Sequence, residues 1–411
     1  MAFVFGVLAV LLLWASACLV LLTVHARVFW RYWCEPVFRC PILILESDDW
    51  GAGPLVQAAA LNRLALLLQG HRDRSGHPAV MTLALILSVP DGVGIRASGN
   101  FMRLRLDAPP LRPVLESLRR GEELGVFSLQ LHGLEHFWPA SVMASHEPQV
   151  QAWCRQPGLA WTEELPSHLQ SRWVDASSLP SSFHATAAIR NAVVEEIAAY
   201  RDVIGAMPRI VVPPTFVWTR EVEAAWAAQG VRWIVTPGCR YTARDHRGSA
   251  GRTEGAWFNG QGRDGIRYLV RTDYFEPKKG RDAKYALAAL ARDGAQGRPC
   301  LLENHRDNFC QDEALARHAE SELDALLHGA VSSHRELRFL STAELCAILD
   351  ARDSRWIIAS KRARLPMVWA RVRHSGRLWK LMRWCGLAWL GARVIEQLAH
   401  ARPQPQPAGK S

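Results

Sequence analysis

The spacing of apolar and polar positions changes several times along this chain, and each change marks an element. Residues 2–24 carry no charged side chain. An apolar run of that length predicts a helix able to cross a hydrocarbon layer of about 30 Å. Beyond it, short apolar runs alternate with stretches of helical spacing. The short runs predict strands at 42–45, 80–87, 126–131, 210–212, 233–236, 268–271 and 300–302. The helical spacing predicts helices at 54–69, 110–120, 184–204, 219–229, 282–292 and 312–328. This is the pattern of an α/β fold with a largely parallel sheet. Seven strands with intervening helices suit an incomplete β/α barrel better than a sandwich, and no internal repeat is present.

Two stretches depart from that alternation. Residues 137–183 are rich in Trp, Pro and Ser, with Trp138, Trp153, Trp161 and Trp173. A stretch that long inside a compact domain predicts a lid or a small inserted subdomain. Near the C-terminus, Leu378, Leu381, Met382, Cys385 and Trp389 recur at helical spacing, with Arg373, Arg377, Lys380 and Arg383 around them. The expectation is a basic amphipathic helix lying on a bilayer; packing of the same stripe on the domain is the alternative. The chain thus divides into a transmembrane anchor at 1–30, a body at 40–350 and a basic tail at 355–411.

Charge sharpens this division. The net charge of +10 comes from 49 Lys/Arg against 39 Asp/Glu, and from Arg355 onward there are twelve basic residues and one acid, Glu396. The body is therefore neutral. That distribution excludes a nucleic-acid partner for the body, which has no excess of cations to neutralise phosphates. It fits a tail that meets an anionic membrane surface. No Lys or Arg precedes the apolar run, which continues past Ala15-Ser16-Ala17-Cys18, so a retained anchor is expected rather than a cleaved leader. Arg27, Arg31 and Arg39 follow the span. The positive-inside rule then places the body of a single-pass protein in the cytoplasm, with a periplasmic or extracellular body as the alternative. Nine scattered cysteines without a C-x-x-C pair predict reduced thiols rather than a disulfide framework.

The candidate chemistry lies at strand ends. The run Ile42-Leu43-Ile44-Leu45-Glu46-Ser47-Asp48-Asp49 ends a buried strand in adjacent carboxylates. In α/β folds the carboxyl ends of strands face the active site. Adjacent carboxylates repel, and a cation makes the pair stable and useful, one Asp ligating and the other taking a proton. A turn or helix cap rich in Asp is the plain alternative. His132 and His136 follow another strand; four residues apart, they are expected on one face of a helical turn, where both reach one ion. With a carboxylate they form a three-donor set with an open position, as catalytic zinc-type sites require. His305, after the last strand, is either a proton donor or a satisfied core histidine.

Taken in order, Asp48-Asp49, His132-x-x-x-His136, Pro213-Pro214 and His305 resemble the polysaccharide deacetylase family of carbohydrate esterases over roughly 40–350. The resemblance implies an incomplete (β/α) barrel with one divalent ion on Asp49, His132 and His136, zinc first and cobalt, iron(II) or nickel as alternatives. It implies Asp48 as the base and His305 as the general acid, and Pro213, Pro214, Thr215 and Arg271 near the substrate or its oxyanion. It implies loss of an acetyl or similar acyl group from an amino sugar of a polysaccharide or lipid-linked glycan, with polysaccharide biosynthesis proteins as partners. A catalytically silent glycan-binding scaffold of a polysaccharide assembly or export system is the alternative. Phe339-Leu340-Ser341 looks like the strand that closes the domain. The chain departs from the family at Trp50 (Gly), Gly133 (Ser or Thr), Val212 (the groove Arg) and Thr215 (Tyr). Arg209 or Arg271 is left to orient Asp48, and the altered groove points to a divergent branch with its own acceptor.

Overall fold

The computed structural model describes residues 1–400; the end of the expected tail, 401–411 with Arg402 and Lys410, lies outside the described residues. Two units are present. One comprises Cys40–Gly294 and Pro299–Ala351, the other Met1–Arg39, Ala295–Arg298 and the chain from Arg352 on.

The larger unit is an α/β barrel. All seven expected strands form: β1 (Ile42–Gly51), β2 (Met81–Ile86), β3 (Phe127–Gly133), β4 (Ile210–Val211), β5 (Trp233–Thr236), β6 (Ile266–Val270) and β7 (Cys300–His305). They pair in the order β6-β5-β4-β3-β2-β1-β7, and every one of these pairs is parallel. Parallel strands are covered on both faces, which is why Ile42 to Leu45 and, Thr82 apart, Met81 to Ile86 are apolar without alternation and buried throughout. Helices form at the six expected places, and one at Thr342–Ala351 that the spacing did not reveal.

Closure differs from expectation. Arg338–Phe339 pairs only with Ile42 and Leu43 at the start of β1, so it extends the sheet without sealing it. The gap between β6 and β7 is instead crossed by the chain itself: Asp273–Tyr274 pairs with Leu302 and Glu303 of β7. Between that short strand and β6 stand Arg271 and Thr272, whose N–H groups donate to Thr236 and Leu301 respectively, at 3.0 Å each. The barrel is incomplete, and Arg271 sits at its seam.

Residues 137–183 hold short helices, Pro139–Ala144 and Pro148–Arg155, and a small core of their own built on Phe137, Val142, Val150, Trp153, Leu165 and Leu169. Trp173 is buried in the main core, edge-on to Trp226, and Trp138 and Trp161 pack against that core from outside.

In the smaller unit, α1 (Ala2–Val24) and α2 (Ala26–Cys34) are followed, after the barrel, by α3 (Lys361–Arg373), α4 (Arg377–Trp384) and α5 (Leu387–His400). The expected single tail helix is broken at Cys385 and Gly386, the latter at φ 78°. Its stripe is split as well: Leu378 and Met382 are buried in a cluster with Leu21, Val28 and Tyr32, whereas Trp389 is 63% exposed.

Arg371 organises this unit. Its side chain is fully buried, and all five donor positions are used: Nε to the Gln296 carbonyl, one Nη to those of Tyr32 and Glu35, the other to those of Pro36 and Gly297, at 2.8–3.3 Å. This charge serves the fold rather than a membrane surface. Lysine offers three donors for five carbonyls. Arg371→Lys should therefore destabilise the unit by about 2 to 4 kcal/mol, each orphaned carbonyl costing about 1 to 3 kcal/mol; hydrogen exchange of the 32–37 amides under denaturant titration measures it, and unchanged protection contradicts the assignment.

Candidate metal centre

Adjacent residues on a strand point to opposite faces, so Asp48 and Asp49 cannot share a site on a regular strand. They do so here because β1 bulges. Its register with β2 shifts between Ser47 and Trp50, and Asp49 takes the left-handed region at φ 73°. On the other side of β2, β3 shifts too: Leu131 pairs with Leu85 and Gly133 with Ile86, leaving His132 as the extra residue. Bulges re-aim side chains in this way beside functional sites. Two glycines permit the geometry. Gly51 (φ 109°) would place a Cβ 2.4 Å from the Ile86 carbonyl oxygen, and Gly133 (φ 136°) one 2.8 Å from that of Glu135. The chain's Gly133 is thus a requirement of this backbone, and Trp50 is buried within β1, its indole donating to Ser47 Oγ.

His132 and His136 are not on a helical turn, as their spacing suggested. His132 ends a strand and His136 lies in the bend after it. The bend doubles back so that the rings stand edge to face with centroids 4.9 Å apart. Both Nε2 atoms face Asp49 Oδ1, at 3.4 Å from His132 and 3.3 Å from His136. His132 Nδ1 donates to the Val212 carbonyl at 2.8 Å, which leaves its Nε2 as a lone pair. Asp49 Oδ1 is buried without a hydrogen bond. An orphaned carboxylate oxygen facing two imidazole nitrogens, all three donors within 4.8 Å of one another, fits a tetrahedral-type divalent ion. Burial, partly offset by Asp49, pushes His136 down to about 4 and keeps it neutral. Burial acts against His132 as well, but Asp48 and Asp49 outweigh it and raise that imidazole.

Beside this set stands an ionic cluster. Arg271, 2% exposed at its side chain, donates Nε to Glu46 at 2.7 Å and both Nη groups to Asp48 at 2.6 and 2.7 Å, and lies 3.3 Å from Glu303. Of the two arginines left open by the sequence, Arg271 is therefore the one on Asp48; Arg209 precedes β4 at the opposite strand end. Carboxylates fill the fork of Arg271, which holds Asp48 in place. Burial raises the Asp48 carboxyl, but Arg271 outweighs it and holds the group below the usual carboxylate range. Asp48 pairs in register with His305. His305 is 28% exposed, with Nδ1 on Glu276 at 2.5 Å and Nε2 3.7 Å from Glu303. Burial disfavours its charge, yet the Glu276 hydrogen bond and then the Glu303 and Asp49 charges hold it up to about 10.

Several site residues escaped sequence reading because they come from distant positions. Glu276 and Glu303 bracket His305. Glu135, between the two histidines, turns away from the centre to accept from Ser88 at 2.8 Å and to pair with Arg103 at 2.8 Å and with Arg172. Arg172 and Ser171 come from the Trp-rich insertion, Ser171 meeting Thr215 hydroxyl to hydroxyl at 2.8 Å. Thr215 and Phe216 are both left-handed, at φ 53° and 55°. They follow Pro213-Pro214, and the Phe216 ring centroid lies 5.5 Å from the Arg271 guanidinium carbon. A buried Glu inside H-x-x-E-H was the only local hint of the Arg103–Arg172 brace.

No protein-family model and no curated protein matches the sequence. Among solved structures, a Mycobacterium smegmatis protein provisionally assigned as a polysaccharide deacetylase is 12% identical over 78% of this chain and 94% of that one, with a TM-score of 0.41. A family 4 acetyl xylan esterase from Clostridium thermocellum, in complex with a cobalt ion, is 13% identical over 75% and 91%, with a TM-score of 0.34. A 4-alpha-glucanotransferase from Thermococcus litoralis is 11% identical over 76% of this chain, which spans 40% of its length, with a TM-score of 0.39. Likeness of this size assigns no role to any residue here.

Two outcomes follow from the geometry. Arg271→Met leaves three buried carboxylates without a cation and should cost about 3 to 5 kcal/mol in chemical denaturation; a loss under about 1 kcal/mol contradicts the assignment. His305 has a folded pKa of about 10 against 6.5 for the free group, so its ion pair contributes stability fully below pH 6.5 and loses it as pH rises through 10. Glu276→Gln should lower that pKa and narrow the window. A histidine-resolved NMR titration reads it, and an unmoved midpoint near 10 contradicts it.

Proposed function

We propose that this chain is a metal-dependent hydrolase that removes an acetyl or similar acyl group from an amino sugar of a polysaccharide or lipid-linked glycan. The observation that carries the hydrolase reading is the convergence of the Asp49–His132–His136 donor set with a cation-held carboxylate, Asp48, and a carboxylate-held imidazole, His305. Their pKa values are pushed in opposite senses, which is how paired acid and base roles are separated at one pH. The sugar is carried by the family resemblance.

An ion held by Asp49, His132 and His136 supplies a Lewis acid for the acyl carbonyl and lowers the pKa of water toward neutrality. Asp48 stays ionised and accepts the proton of the attacking water. Each of its oxygens already takes a hydrogen bond from Arg271, which fixes its aim and leaves one lone pair per oxygen for the water. The water oxygen bonds to the acyl carbon. As the C–N bond breaks, His305 gives its Nε2 proton to the amine nitrogen, while Nδ1–H remains on Glu276. Acetate and a free amine leave, and solvent returns the proton from Asp48 to His305. The Thr215 backbone N–H is the proposed oxyanion donor, such a donor being worth about 3 kcal/mol; Pro213 and Pro214 stiffen the loop that presents it. For an ester the leaving oxygen takes the place of nitrogen. The reading places the enzyme at a membrane, with its barrel in the cytoplasm on the positive-inside count.

The test is acetate release from N-acetylated glycan oligomers by the full chain. Chelation should abolish it, re-added zinc or cobalt should restore it, and Asp48→Asn and His305→Ala should each lower kcat by about 10²- to 10⁴-fold. Asp49→Ala should also lose bound metal by elemental analysis. Activity that survives both complete chelation and Asp48→Asn refutes the proposal.

A further inference from the structure

The turn between α4 and α5 meets α1 far from either end of that helix. α1 is otherwise bare, with Phe3 83% and Leu13 72% exposed, and the mean hydropathy of its 3–24 segment is 2.7. Its contacts lie on one side: Leu21 packs in the cluster with Leu378 and Met382, and Trp14, though 42% exposed, is engaged through its indole. Cys18 is buried, and the Trp14 indole N–H donates to the Cys385 carbonyl at 2.9 Å. α4 thus lies along the C-terminal half of α1. Leu381, Trp384 and Cys385 line a groove with Ala17, Val20 and Val24, with a cavity volume of about 480 Å³.

Helix geometry sets the level of this contact. At about 1.5 Å per residue, Trp14 lies about 15 Å below Val24, or about half the depth of a 30 Å hydrocarbon layer. A turn bonded to Trp14 therefore cannot stay in water while α1 is in a bilayer. Most of its backbone is prepared for that, the Leu387 and Ala388 N–H groups at the start of α5 being the exceptions. In hydrocarbon every peptide group needs an internal partner. The Cys385 N–H donates to Leu381, Gly386 to Arg383, and Trp389 and Leu390 to Gly386; the Cys385 carbonyl takes the indole proton. An indole N–H mid-span on an apolar helix has the same need, and the turn answers it. The side chains around the tip are apolar and bare, Trp384 being 83% and Trp389 63% exposed. Arg377, Lys380 and Arg383 on α4 and Arg393 on α5 have stems long enough to bring their charges back to the headgroups.

We propose that the α4–α5 hairpin is inserted tip first into the leaflet beside α1, and that the groove between α1 and α4 holds an acyl chain of a bilayer phospholipid whose anionic headgroup meets those cations. The amphipathic tail is then an intramembrane wedge tethered by Trp14 rather than a helix lying on the surface. The tether also makes α1 a working part of the unit, which a leader removed at Ala15-Ser16-Ala17 would not be.

The experiment uses the full chain reconstituted in vesicles of phosphatidylcholine and phosphatidylglycerol doped with a phosphatidylcholine carrying a mid-chain diazirine. Photolysis and peptide mass spectrometry map the adducts, and hydroxyl-radical footprinting of the same vesicles maps water contact. Adducts on 384–390 as well as on α1, with Trp384 and Trp389 shielded from radicals, are expected. The pair Trp384→Glu and Trp389→Glu should reduce tail adducts to background while α1 adducts persist. Trp14→Phe, which keeps the apolar surface but removes the donor, should move adducts off the turn. Adducts confined to α1 with radical oxidation of Trp384, or a tail reached by neither reagent because protein covers it, overturn the proposal. Neither readout depends on catalysis, so the outcome is independent of the hydrolase reading.

Discussion

One guanidinium, that of Arg271, holds the candidate site in place. It lies inside the barrel among Glu46, Asp48 and Glu303, all three buried. Three carboxylates in so small a volume repel one another and lose their hydration, and a single planar cation that bonds to two and lies beside the third offsets part of both penalties. The same residue bridges the seam between β6 and the short strand on β7. The seam of the incomplete barrel and the aim of Asp48 therefore meet in one residue: its backbone N–H bonds to Thr236 of β5, and its side chain holds the carboxylates.

Around that fixed point the site separates its charges. Asp48 has a permanent cation and stays ionised. His305 has Glu276 on its Nδ1 and Glu303 beside its Nε2, and stays protonated. Between them Asp49, His132 and His136 present donor atoms on backbone that is bulged on both flanks of β2. Among the described residues, three of the five non-glycine positions at positive φ, Asp49, Thr215 and Phe216, border this centre. Strain concentrated there and braced from behind by Glu135, Arg103 and Arg172 is the behaviour of a site whose geometry is imposed by the fold.

The smaller unit repeats the device with different partners. Arg371 spends its five donors on carbonyls of two chain segments, 32–36 and 296–297, so a residue that adds to the basic tail on paper is taken up by the fold. The remaining tail separates into a buried side, Leu378 and Met382, and an apolar tip that faces outward.

The periods of hydrophobicity were sufficient to place all seven parallel strands and six helices, because a strand buried on both faces and an amphipathic helix each impose their spacing on the chain itself. Asp48, Asp49, His132, His136 and His305 were legible for a related reason: in a parallel barrel, strand order and strand ends determine which residues face one centre. Four things were beyond the sequence. The partner of Asp48 was undecided between Arg209 and Arg271, since both are arginines near strands and only the end of the barrel each occupies distinguishes them. Glu276, Glu303 and Arg172 carry no local signature, because a buried charge is defined by what surrounds it. His132 and His136 suggested a helical turn, as spacing cannot tell a helix from a strand that bulges and doubles back. The tail's stripe was real, but which of its residues are covered depends on α1, more than 350 positions away in the chain. Sequence determined the elements through local periodicity; the tertiary structure decided the pairings of charges, because Coulomb interactions and desolvation act through space and not along the chain.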